Sequence, residues 1–218
     1  PKNNNLLSVS AGGHTNTYSY NNDRITGINV NNSTHYKFNY DKFGRTVSTS
    51  VGNGTNSVIL SALEYDQKGL MTKQTYGNKD YVYYCYDSLD RLAEKSYNDR
   101  NNNCVAKKQY LYGNDGNISV TVDFASNSYT RYNYDLSGRT ASVREYSGTD
   151  VSSNIPISYT EYKYADKTNY LTNVKHFSPI GTQNIAYNYG DINQGQMPDQ
   201  VYSEYSEYSE YSGTDEKC

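Results

Sequence analysis

The chain of 218 residues contains no tryptophan, only four prolines, three cysteines and three histidines. Its most apolar stretch, SVILSAL at residues 57–63, is the length of a strand, far short of the roughly 20 residues a membrane-spanning helix needs. The sequence is therefore read as soluble, without membrane insertion. Cysteines at 85, 104 and 218 match no zinc or redox spacing. Cys85 and Cys104 read as structural or incidental, the alternative being a bridge between them across a hairpin. The net charge is −3 and the basic residues are scattered, so no stripe exists for nucleic acid. His14, His35 and His176 stand in unrelated contexts, and neither a G-x-S-x-G nucleophile signature nor a glycine-rich phosphate loop is present.

Ordinary core residues are also scarce, since Leu, Ile, Val and Phe number 36 together. Such poverty with high charge would mean disorder, but the charge is low. Tyrosine, present 27 times, supplies the missing apolar mass. Its ring can be buried while its hydroxyl finds a polar partner, which suits sheet faces better than helix bundles. Asparagine is equally frequent at 27, and 16 glycines accompany it. The composition describes many short strands joined by many tight turns.

The pattern is periodic. Aligned on a recurring aromatic, the chain shows eight units anchored at Tyr20, Tyr40, Tyr65, Tyr86, Tyr112, Tyr134, Tyr164 and Tyr189. Two residues before each anchor stands another large apolar residue: Tyr18, Phe38, Leu63, Tyr84, Tyr110, Tyr132, Tyr162 and Tyr187. Residues at i and i+2 share one face of a strand. Asp41, Asp66, Asp87 and Asp135 directly follow their anchors, where a carboxylate can bond backbone two residues on and start a turn. Gly44, Gly69, Gly116 and Gly138 come four residues past the anchor, the position that wants positive φ; Asp90 and Thr168 hold it elsewhere. Arg24, Arg45, Arg91 and Arg139 follow the turns, and return strands such as RTVSTSV are rich in Val and Thr. Anchor spacings of 20 to 30 residues mark a repeat architecture in which hairpins stack side by side.

The Y-D-x-x-G-R pattern, complete at 40–45 and 134–139 and with Asp90 in place of Gly at 86–91, resembles the YD repeat of Rhs and wall-associated proteins. That repeat also occurs in insecticidal toxin complexes and teneurins. YGNKDYVYYCYDSLDRL at residues 76–92 is similar to segments of Gram-positive wall-associated proteins. The resemblance covers about residues 15–195 and implies a long sheet spiralling into a hollow shell, which in that family often encloses a toxic C-terminal domain. Two departures stand out: family shells contain many more repeats, and the self-cleaving aspartate segment of Rhs cores has no counterpart here.

The expected fold is thus all-β, with repeated antiparallel hairpins forming a continuous curved or spiralling sheet. Residues 1–14 are expected to be a lead-in, 15–201 the repeat domain and 202–218 a low-complexity Tyr/Ser/Glu stretch. The period of three in that last stretch fits neither strand nor helix, so it reads as a loosely attached tail, the alternative being an imperfectly alternating strand. The chain opens PKNNNLLS without an initiator Met or signal-like segment and is expected to be an excerpt of a longer bacterial protein. The resemblance implies an extracellular or cell-surface location and a non-catalytic scaffold.

The expected partners are other repeats or domains of the parent, including an enclosed toxin domain, with edge-to-edge self-association admitted by open strand edges. No cofactor is expected. GNDGN at 113–117 lacks the remaining ligands of a calcium loop. The arginines either line a wall that binds something acidic or cover tyrosine rings and pair with turn aspartates, the second being favoured. Two other functions stay open: a glycan-binding aromatic surface, and a hydrolase whose site assembles from distant repeats.

Overall fold

In the computed structural model, residues 5–52, 56–152, 155–166, 168–189, 198 and 200–207 are described. They form 17 strands and no α-helix. Two compact units divide the chain, Pro1–Lys107 and Lys108–Cys218.

The first unit is an antiparallel meander. Strand β1 (Ser8–Ala11) pairs with β2 (His14–Asn21), followed by β3 (Arg24–Val30), β4 (Thr34–Tyr40), β5 (Thr46–Val51), β6 (Val58–Tyr65), β7 (Met71–Tyr76), β8 (Tyr81–Tyr86) and β9 (Leu92–Asn98), each paired with the next. Strand β10 (Cys104–Tyr112) carries the boundary between the units. The second unit continues with β11 (Ile118–Asp123), β12 (Ser128–Tyr134), β13 (Thr140–Ser147), β14 (Ser158–Tyr164), β15 (Leu171–Ser178), β16 (Gly181–Asn188) and β17 (Gln200–Glu207), again paired in sequence. All of these pairings are antiparallel, as the hairpin repeat requires.

Each anchor from Tyr40 to Tyr164 is the last residue of its strand. At the anchor the ladder skips one residue on the returning side: Tyr40 faces Thr46 while Asn39 faces Ser48, leaving Val47 unpaired. The same bulge falls at Thr26, Thr72, Ala93, Ser119, Ala141 and Thr172. A bulge adds local twist and bends the strand that carries it, so every one of these hairpins bends at the same place. The hairpin between β16 and β17 pairs from Asn188 to Gly181 without a shift, and Tyr189 lies just outside it.

Directly paired residues share a face, which sorts the side chains. In the first unit Tyr18, Ile28, Tyr36 and Val51 form one cross-strand row, and Leu63, Gln74, Val82 and Tyr97 another, on the face that carries the anchors. The other face presents Ser19, Lys37, Asn39, Ser48, Glu64 and Lys73. Val82 on the anchor face is 1% exposed. The anchors themselves are half-buried. In the second unit the buried cluster is Val122, Tyr129 and Tyr146, mutually paired across β11, β12 and β13. Strand alternation places Tyr129 on the face opposite Tyr132 and Tyr134. The core of this unit is therefore not made by the repeated rings. Tyr129 and Tyr146 stack with centroids 4.5 Å apart and planes at 2°.

Residues 202–207 belong to β17, which pairs along its whole length with β16, while every side chain in it is exposed. Over that span the alternating-strand reading describes the chain; residues 208–218 lie outside those described.

Candidate functional site

The repeated feature is the five-residue turn that follows each anchor. In the turn after Tyr40, the Asp41 amide donates to the Arg45 carbonyl at 2.9 Å and the Gly44 amide to the Asp41 carbonyl at 3.0 Å. Gly44 has φ of 81°, a left-handed conformation that costs a side chain dearly and glycine nothing. The Asp41 carboxylate caps the turn, accepting the amides of Phe43 and Arg45 at 2.9 and 3.0 Å and the Arg45 Nε at 2.7 Å. Asp87 with Leu89 and Arg91, and Asp135 with Ser137 and Arg139, repeat this set of bonds. Asp66 accepts the Leu70 amide at 2.8 Å, with Gly69 at the left-handed position and no arginine to pair.

These bonds make the carboxyls stronger acids. The Arg91 guanidinium and amide bonded to Asp87 hold its carboxyl below the ordinary carboxylate value, against the opposing effect of desolvation. At Asp41 and Asp135 desolvation is the largest influence and pushes upward, but the combined hydrogen bonds from the following arginine and turn amides outweigh it and leave both lowered. The carboxylates are thus held ionised by structural partners.

Two further contacts join the turns of Arg45 and Arg139 to the next repeat. The Arg45 guanidinium lies 4.4 Å from the centroid of Tyr65, and that of Arg139 lies 4.5 Å from Tyr164. The same arginines reach the following turn: a Cβ on Gly69 would come within 3.3 Å of Arg45 Nη1, and Arg139 Nη1 donates to the Thr168 carbonyl. Arg24 lies over Gly44 so closely that a Cβ there would run into its guanidinium. The favoured reading of Arg45 and Arg139 holds in both halves, since each pairs with its aspartate and covers a ring.

The anchor hydroxyls complete the linkage. Tyr40 donates to the Ile25 carbonyl at 2.7 Å, Tyr65 to Thr46 at 2.8 Å, Tyr86 to Met71 at 2.8 Å, Tyr134 to Ile118 at 2.9 Å and Tyr164 to Thr140 at 3.0 Å. Each acceptor is the residue of the preceding return strand that stands opposite the previous anchor. Tyr20 does the same toward Leu6 at 2.8 Å. A phenylalanine would fill the space but could not satisfy that carbonyl, which explains tyrosine at these positions.

Variants of the turn also occur. After Tyr112 the turn keeps the geometry with Gly113 in place of aspartate and Gly116 at φ of 82°. Asp115 there binds the amide and side chain of Asn117 at 3.1 and 2.9 Å, so the carboxylate of the GNDGN stretch is taken by its own turn. Tyr76–Asp80 and Asp99–Asn103 form the same five-residue turn at the opposite ends of the strands, with Lys79 and Asn102 left-handed at φ of 72° and 69°. Asp99 accepts the amides of Asn101 and Asn103 and the Asn103 side chain, each at 2.8 Å. The sequence signal of this turn is the spacing of Asp99 and Asn103 in DRNNN, which no anchor tyrosine precedes.

No family model and no curated protein matches the chain. Solved structures do. A crystal structure of TcdB2-TccC3 matches at TM-score 0.66 and 17% identity over 80% of this chain. The structure of TcdB2-TccC3 without its hypervariable C-terminal region matches at TM-score 0.67 and 16% identity over 87%. The Tc holotoxin pore of Photorhabdus luminescens, carrying a TccC3 substitution, matches at TM-score 0.65 and 17% identity over 80%. This chain shares their fold. The resemblance to YD-repeat proteins read from the sequence is thereby met at the level of fold. The chain spans about 10% of the length of each of these three matched chains.

The other candidates fall into place individually. Cys85 and Cys104 are free thiols, both exposed, and Cys218 lies outside the described residues. His14 Nδ1 meets Asn31 Nδ2 at 2.7 Å and His176 Nδ1 meets Thr160 Oγ1 at 2.9 Å. Among the described residues no group of three His, Cys, Asp or Glu side chains could hold a metal ion, and no helix is long and apolar enough to cross a membrane. The exposed Tyr83 and half-buried Tyr81 meet edge to face at 5.1 Å, and Lys73 Nζ sits 4.6 and 5.1 Å from the Tyr81 and Tyr83 centroids. The lysine takes ring surface that a sugar would need.

Proposed function

We propose that this chain is a stretch of wall in a larger secreted or cell-surface bacterial protein, a non-catalytic sheet of YD-type hairpins that spaces or encloses an associated domain, a toxin being the case the resemblance suggests. The observation that carries this reading is the use made of the repeated polar groups. Anchor hydroxyls, turn carboxylates and the guanidiniums of Arg45 and Arg139 are committed to the neighbouring turn or strand. Such groups build a surface that lengthens by addition of hairpins. The shared fold with TcdB2-TccC3 supports the same reading, the match taking up 80% of this chain and 10% of that one.

The test is limited proteolysis of the intact parent protein against a version lacking these repeats. The associated domain should survive in the intact protein and be cut rapidly in the shortened one. Equal cleavage rates would overturn the proposal.

A further inference from the structure

Arg45, Arg91 and Arg139 are each neutralised by the aspartate four residues earlier, at 2.6 to 2.7 Å. Arg24 breaks that rule. Its hairpin turns through only two residues, Asn22 and Asp23, both left-handed at φ of 48° and 61°. The residue after the anchor is the neutral Asn21, so the capping carboxylate is missing. Neighbouring Asp23 accepts Asn5 Nδ2 at 3.0 Å. No carboxylate or ring among the described residues takes the Arg24 guanidinium, yet its seat against Gly44 is the one that Arg45 repeats at Gly69. Position is thus conserved within the chain while the counter-charge is absent.

The guanidinium opens onto a crevice of about 400 Å³ lined by Asn21, Asn22, Thr26, Asn39 and Lys42 as well as Arg24. Asp41 also borders it, but its oxygens already hold two amides and the Arg45 guanidinium. Lys42 Nζ lies 5.0 Å from the exposed Phe43 ring, a contact that leaves its ammonium hydrogens available. We propose that this crevice binds a small oxyanion, a carboxylate or phosphate group, between Arg24 and Lys42. The planar guanidinium matches two oxygens of such a group, Lys42 adds a second positive charge, and the Thr26 hydroxyl and asparagine amides offer further donors.

The test is a titration of the full 218-residue chain with inorganic phosphate, sodium acetate and sodium chloride at matched ionic strength, following the Arg24 Nε–H resonance by NMR. A saturable shift with phosphate, acetate or both is expected, with chloride inert; which anion responds tells phosphate from carboxylate recognition. Arg24→Gln, read from the neighbouring Gly44 amide, should weaken binding by about tenfold or more, as loss of a charge-assisted bond implies, and Lys42→Gln by a smaller factor. Both residues are on the surface, and neither serves the turn hydrogen bonds. A response equal in chloride, or unchanged in both variants, would show charge screening alone and overturn the proposal.

Discussion

The Tyr65 hydroxyl donates to the carbonyl of Thr46, 2.8 Å away and 19 residues earlier in the chain. Thr46 is in turn the strand partner of Tyr40, whose own hydroxyl reaches Ile25. The hairpins of Tyr40, Tyr65, Tyr86, Tyr134 and Tyr164 are therefore each tied to the preceding return strand by one half-buried ring and one hydrogen bond at its tip. Tyr65→Phe keeps the ring and strands the carbonyl, so it should lower stability by about 1 kcal/mol or somewhat more. Tyr65→Leu also removes the face beneath Arg45 and should cost about another 0.5–1 kcal/mol. Urea denaturation of both variants checks the order; a Phe variant as stable as the parent chain would contradict the bonding role.

Gly44 and Gly138 separate two reasons for glycine. Both have positive φ, 81° and 76°, but only at Gly44 would a Cβ meet a neighbour, the Arg24 guanidinium. Gly138→Ala should cost about 1–2 kcal/mol from backbone conformation alone. Gly44→Ala should cost only slightly more, because the exposed Arg24 side chain can swing aside, and Arg24→Ala in the same chain should recover that small excess. A double-mutant cycle measures that coupling directly.

The lowered carboxyls set an acid limit. Asp87 binds its proton more weakly folded than unfolded, because Arg91 and the turn amides bond the ionised form. In that situation the unfolded chain takes up more protons, and stability rises with pH. The contribution of Asp87, Asp41 and Asp135 is fully present above the unfolded carboxyl value of about 3.9 and is lost as pH falls through the lower folded values. Thermal melts between neutral pH and about pH 3 should show the decline, and Asp87→Asn should flatten part of it while lowering stability at neutral pH.

Tyrosines of similar sequence setting should differ sharply in worth. Tyr146, 3% exposed and stacked on Tyr129, should cost about 3–5 kcal/mol when changed to Ala. Tyr202, 56% exposed on β17, should change stability by no more than about 0.5 kcal/mol. Equal losses at the two positions, measured by chemical denaturation, would contradict the assignment of the buried cluster.

The strands and turns were legible because their causes are local. Rings at i and i+2, an aspartate after the anchor and a glycine three residues later each act within one hairpin, and the sequence shows all of them at 38–44 and 132–138. Even Asp90 in the glycine position follows, being left-handed at φ of 61°. The equivalence of Asp99–Asn103 to those turns was harder to see, since Asn103 there plays the part of arginine and no anchor tyrosine precedes it.

What the sequence determined by itself is the repeat: which residues pleat, where the chain reverses, and why tyrosine must supply the apolar surface. The tertiary structure alone decided which carbonyl the anchor hydroxyls meet, which turn Arg45 and Arg139 reach, that Tyr129 and Tyr146 bury the second unit's core on the face away from the anchors, and that Arg24 meets no carboxylate among the described residues. The reason is physical. Pleat and turn follow from neighbours within a few bonds, whereas those contacts depend on register between hairpins, which a bulge at each anchor from Tyr20 to Tyr164 shifts by one residue.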